Sequence, residues 1–92
     1  MLAAPNQCHI KARVHSVERS AHFPDKVELE IEILESREVS GPNFARVGER
    51  ARAFTFDPPA AVAEGAVIEC AAEFLGDPRG GRFQLTGITG AA

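Results

Sequence analysis

The sequence predicts an all-β fold: a small barrel, closed or partly open, with elements in the order β-β-β-α-β-β and one short helix between the third and fourth strands. Three observations carry this. Apolar and polar residues alternate with period two from Cys8 to His15 and again over the seven positions from Val27 to Ile33. Clusters of Gly, Pro, Asn and Asp separate these runs from the ones that follow. The length of 92 residues, 23 of them Leu, Ile, Val or Phe, suffices for one domain with a small core, expected to span 1–92 with its ordered part at about residues 8–89.

The first strand starts at Cys8, with Ile10, Ala12 and Val14 on one face and His9, Lys11, Arg13 and His15 on the other. Val17 breaks this parity, and a β-bulge near His15-Ser16 would restore it while bending the strand. His22-Phe23-Pro24-Asp25-Lys26 is a turn, because Pro presets φ and Asp can hydrogen-bond the local backbone. The second strand follows with Val27, Leu29, Ile31 and Ile33 inward and Glu28, Glu30 and Glu32 outward; its β-branched residues and strict alternation outweigh the helix propensity of the glutamates. A long loop is expected over Arg37 to Gly48, around Gly41-Pro42-Asn43.

The third strand covers Arg50 to Phe56. Asp57 to Gly65 reads as the short helix, centred on 58–64, with Asp as cap, Pro in the first turn, Ala inside and Gly as the stop. The fourth strand is Val67 to Leu75, with Ile68, Cys70, Ala72 and Phe74 inward. Gly76 to Gly81 is a loop, and Arg82 to Ile88 is the fifth strand, with Phe83 and Leu85 inward. The ends, residues 1–6 and Gly90-Ala91-Ala92, are expected to fray.

This element order resembles the OB superfamily over about residues 8–89. The resemblance includes the long second strand, Gly-Glu-Arg-Ala-Arg-Ala-Phe (48–54) opening the third, Gly65 opening the fourth, and Glu-Phe-Leu-Gly-Asp-Pro-Arg-Gly-Gly-Arg-Phe (73–83) at the last hairpin. It implies a five-stranded Greek-key barrel in which the face of strands two and three, with the first-second and fourth-fifth loops, commonly binds oligonucleotides or oligosaccharides. An SH3-like barrel is the second fold considered, but its single helical turn normally comes late, before the last strand.

Ten Lys and Arg against 13 Asp and Glu give a net charge of −3, so any site for a polyanion must be local. No apolar run approaches the roughly 18 residues of a membrane span, and Met1 to Gln7 has neither the basic nor the apolar region of a signal peptide; a cytoplasmic protein with no membrane partner is expected. Cys8 and Cys70 are too far apart for a Cys-x-x-Cys site and should be free thiols serving as small hydrophobes. Cys8 and His9 point to opposite faces of a strand, which argues against a metal site built on them with His15 or His22, and no cofactor is expected.

No Ser or Cys is marked out as a nucleophile with His and carboxylate partners, and Asp25, Asp57 and Asp77 sit in turn or cap contexts. Gly76 to Gly81 joins two strands and leads into no helix, unlike a phosphate loop. A non-catalytic binding module is therefore expected.

The chemistry-bearing cluster is Arg50, Arg52, Phe54 and Phe56, which share one parity of the third strand. If Ala51, Ala53 and Thr55 face the barrel interior, two arginines and two rings line its outer face, an arrangement that stacks bases and holds phosphates. By the resemblance, Phe23 in the first loop and Arg79 and Arg82 around the last would border this face. The other reading places a bulge near Ala53, which turns Phe54 or Phe56 into the core and leaves the arginines paired with the glutamates of strand two. Two functional classes follow: a weak binder of single-stranded DNA or RNA, and a protein-interaction or small-ligand barrel acting as a subunit or adaptor.

Overall fold

The computed structural model describes residues 6–56, 58–77 and 80–91. Five strands, β1 (Gln7–Arg19), β2 (Lys26–Ser40), β3 (Arg50–Phe56), β4 (Val67–Asp77) and β5 (Gly80–Gly90), close into a barrel in the order β1-β2-β3-β5-β4. Every contact is antiparallel except that of β3 with β5, which is parallel. This closed mixed barrel is consistent with an OB-like superfamily and follows the resemblance drawn from the sequence.

Alternation does what a barrel requires. Ile10, Ala12 and Val14 of β1, Val27, Leu29, Ile31 and Ile33 of β2, Ile68, Cys70 and Ala72 of β4, and Phe83 and Leu85 of β5 form one buried core. Small residues oppose large ones across neighbouring strands, as Ala12 does Ile33 and Ile68, which lets side chains fill a narrow interior. Each fully buried aliphatic side chain contributes about 1.5–3 kcal/mol.

Bends are placed where the pattern slips. His15 is the extra residue between the pairs Val14/Ile31 and Ser16/Glu30, which is the bulge read from the sequence. Two more shifts leave Leu34 and Val39 of β2 unpaired against β1. Val17 does not return to the core: β1 pairs with β4 only from Cys8 to Arg13, so its far end lies on β2 alone and Val17 is exposed.

The helix expected over 58–64 is absent, and no helix occurs anywhere among the described residues. Two successive turns take its place, closed by Val62 N donating to Pro59 O at 3.0 Å and Ala66 N to Ala63 O at 3.0 Å. A segment of some two turns is too short to offset the cost of helix nucleation. Tertiary bonds decide instead, since Gly65 N donates to Val14 O at 2.7 Å and Ala66 O accepts from Val14 N at 2.8 Å, with Gly65 at φ +86°. Asp57, the expected cap, lies outside the described residues.

Other boundaries also move. β2 runs on to Ser40, so the loop between β2 and β3 is 41–49, and it is tied down along its length. Asn43 Nδ2 donates to Ser36 Oγ at 2.9 Å, Asn43 Oδ1 accepts from Ala45 N at 3.0 Å, and Gly48 N and Glu49 O both bond the backbone of Ile33. Ala45 is thereby delivered into the core. β4 and β5 extend to Asp77 and back to Gly80, which reduces the expected 76–81 loop to a hairpin tip whose residues, Pro78 and Arg79, lie outside the described set.

Asn6, expected in a frayed end, is buried. Its side-chain amide donates to Phe74 O at 3.0 Å and accepts from Phe74 N at 2.8 Å, adding one rung to the β1–β4 ladder. Phe74 itself is half-buried at the barrel end, stacked on Phe44 at 4.8 Å and edge-on to Phe83 at 5.2 Å.

A Cβ at Gly81 would sit 2.2 Å from Phe74 Cζ, a ring already held by Phe44 and Phe83. Gly81→Ala should therefore destabilise the barrel by about 1–3 kcal/mol in urea unfolding, and a neutral result would show that the ring moves aside freely. The thiols give a second expectation. Cys8 and Cys70 are free and buried. Burial, and then the nearby Cys8, push the Cys70 thiol up to about 12, and burial raises Cys8 as well. The unfolded chain ionises such a thiol near 8.5, so the folded state binds the proton more tightly and stability should fall as pH rises from that value to about 12. Denaturant titrations across this window should show a shallower fall for Cys70→Val than for the native sequence.

Candidate functional site

β2 and β3 pair without interruption from Lys26/Phe56 to Glu32/Arg50, so the bulge near Ala53 that the alternative reading required does not occur and the parity of β3 is preserved. Ala53 and Thr55 are buried, and Thr55 Oγ1 donates to Leu85 O at 2.9 Å. Arg50, Arg52, Phe54 and Phe56 all lie on the outer face, where neighbouring side chains treat them differently.

Phe54 is on the outside of the barrel yet only 7% exposed. Phe56 meets it edge-on with centroids 5.8 Å apart, Lys26 Nζ lies 4.8 Å from its ring centroid, and Arg82 Cζ lies 5.8 Å from the same centroid. It is a covered support rather than a stacking surface. Phe56, 47% exposed, and Phe23, 55% exposed, are the accessible rings at this end of the strand. Lys26 stands over Phe23 as well, at 5.6 Å.

The first loop presents Phe23 through a tight set of local bonds. Ser20 Oγ accepts from the backbone N–H groups of His22 and Phe23, Lys26 N donates to Phe23 O, and Ser20 N to Lys26 O closes the hairpin. Pro24 and Asp25 occupy the turn, as their backbone preferences predict.

Along the same face Glu28, Glu30 and Glu32 of β2 are answered by cations or an imidazole. Arg50 contacts Glu30 at 3.0 Å, Arg82 contacts Glu28 at 3.7 Å, and His15 Nε2 lies 3.1 Å from Glu32. Arg50 also donates to His15 Nδ1 at 2.9 Å, which makes that nitrogen an acceptor and leaves Nε2 to carry the proton toward Glu32. Such exposed pairs contribute little stability, but they occupy the carboxylates. Arg52 has no ion pair among the described residues and, with Arg82, lines a groove of about 190 Å³ beside Glu28 and Glu30.

The structure thus brings Phe23, Phe54, Phe56 and Arg82 together around Lys26, engages Arg50 elsewhere, and sets Arg52 farther along β3, opposite Glu30. Arg79 lies outside the described residues. Lys26 is the member that sequence reading missed; its signal was the outward parity it shares with Glu28 at the start of the second strand. Among the described residues no three His, Cys, Asp or Glu side chains converge as metal ligands, and no helix is long and apolar enough to cross a membrane. Compared with family models, curated proteins and solved structures, the chain matches none of them.

Lys26 joins two rings, so its replacement should be felt as more than a lost surface charge. Lys26→Met, which keeps most of the stem, should cost about 0.5–1 kcal/mol in chemical denaturation, whereas Lys11→Met, whose ammonium has only the exposed Glu35 at 3.5 Å, should be close to neutral.

Proposed function

We propose that this protein is a non-catalytic module that binds single-stranded nucleic acid weakly, at the end of β3 nearest the first loop. The observation that carries the reading is the pair of exposed rings, Phe23 in cation–π contact with Lys26 and Phe56 opposite Lys26 in register and edge-on to the covered Phe54, with Lys26 and Arg82 also over Phe54. Bases stack on such rings at about 1–3 kcal/mol each, and the two cations supply phosphate contacts. That sum gives affinities of about micromolar and no means of selecting sequence. A duplex should bind less well, because its bases are already stacked and its denser charge meets Glu28, Glu30 and Glu32.

A second reading, a protein-docking barrel, is favoured by Val39 and Val47, which are 56% and 64% exposed near the loop 41–49. It predicts partner retention at high salt, since apolar contacts are not screened.

Fluorescence anisotropy with a labelled oligonucleotide of about 12 nucleotides, within the range of OB-type site sizes, separates these. Single strands should bind at low salt and weaken as salt rises. Phe56→Ala should reduce affinity at least about fivefold, corresponding to one stacked base. Arg82→Ala should weaken binding and flatten the salt dependence. Absence of single-strand binding at high protein concentration in low salt would remove the reading, and preference for duplex would overturn its mechanism.

A further inference from the structure

At the opposite end of β3 a second cleft, of about 540 Å³, opens between the loop 41–49 and the β4–β5 hairpin. It exists because the ladder of β3 with β5 begins only at Ala53/Phe83, so the first residues of β3 diverge from the hairpin. The loop 41–49 closes over this gap and is held there by Asn43, by the two bonds to Ile33 and by the burial of Ala45. The roof is therefore built before any ligand arrives.

Its lining combines two chemistries. Phe44, Phe74 and Phe83 provide aromatic surface; Phe44 is stacked nearly parallel on Phe74, at 25°, and remains 44% exposed. Arg46, Arg50 and Arg52 line the same space with Glu49 as the one carboxylate among the described residues, so there cations outnumber anions three to one. Arg50 is engaged by Glu30 and His15, whereas Arg46 and Arg52 have no ion pair among the described residues. A guanidinium without a carboxylate partner presents a planar fork of donors that fits phosphate oxygens.

We infer that this cleft binds a nucleoside monophosphate, with the base against Phe44 and the phosphate held by Arg46 and Arg52. An apolar ligand would leave the cations unused, and inorganic phosphate would leave the ring unused. The volume lies in the range of small-molecule sites. Arg52 also lines the groove on the outer face of β3, so the cleft adjoins that face, but occupancy by a free nucleotide does not require that any strand bind there.

The test is a titration followed in amide ¹H–¹⁵N correlation spectra of the full chain, with adenosine monophosphate, adenosine, inorganic phosphate and phosphotyrosine as separate probes. Adenosine monophosphate should give saturable shifts at Phe44, Ala51 and Gly81, with adenosine and inorganic phosphate each at least about tenfold weaker, since each lacks one of the two contacts. Arg46→Ala, an exposed loop substitution that should leave the spectrum otherwise intact, should weaken nucleotide binding about tenfold or more, as loss of a charged hydrogen bond does. Phosphotyrosine binding as tightly as the nucleotide would overturn the choice of ligand. No saturable shift at about 10 mM nucleotide, shifts confined to Phe23, Lys26 and Phe56, or unchanged affinity in Arg46→Ala would overturn the site.

Discussion

Closure of this barrel depends on a seam two residue pairs long. Ala53 faces Phe83 and Phe54 faces Gln84 where β3 runs parallel to β5, and the neighbouring Thr55 hydroxyl reaches Leu85 O across the same gap. Parallel pairing is slightly weaker per residue than antiparallel, and every other contact in the sheet is longer. Without this seam the sheet would have two open edges and Phe83 would lose its cover. The shortness of the seam has a structural consequence: the first residues of β3 part from β5, and the cleft lined by Phe44, Arg46 and Arg52 lies at that parting.

The outer face of β2 and β3 shows how a chain of net negative charge can still hold a local cationic site. Three glutamates on one strand would ordinarily repel phosphate. Here each has a nearby Arg or His, at the expense of Arg50 and partly of Arg82, while Lys26 and Arg52 are left to act outward. Phe54 contributes while almost wholly covered. It lies against both Lys26 and Phe56, so a buried ring underlies the two that face outward.

Much of the fold could be read from the chain because the signals were local and periodic. The strict alternation from Val27 to Ile33 gave the second strand and its inward face, and the break between Val14 and Val17 gave the bulge at His15. The segment 58–66 failed for the complementary reason. Its Pro, Ala and Gly residues satisfy the local rules of a helix, but its shape is set by hydrogen bonds to Val14, about fifty residues away and not visible in local propensity. The site divides in the same way. The parity of Arg50, Arg52, Phe54 and Phe56 was readable, whereas the covering of Phe54, the capture of Arg50 by His15 and the meeting of Phe44 with Phe74 all depend on how distant segments pack.

The side chain of Asn6 stands in for backbone. β4 continues past Ala72, the end of its register with β1 among the described residues, and two residues on, the N–H and C=O of Phe74 take a side chain as their partner. A carboxamide carries a donor and an acceptor at the spacing of a peptide group, so the Asn6 side chain imitates one further residue of strand. Aspartate could accept from Phe74 N but would leave Phe74 O without its donor, and serine could not span both. One amide just before the first strand thus makes the final rung of this ladder depend on a residue's identity, where the neighbouring rungs need only a backbone.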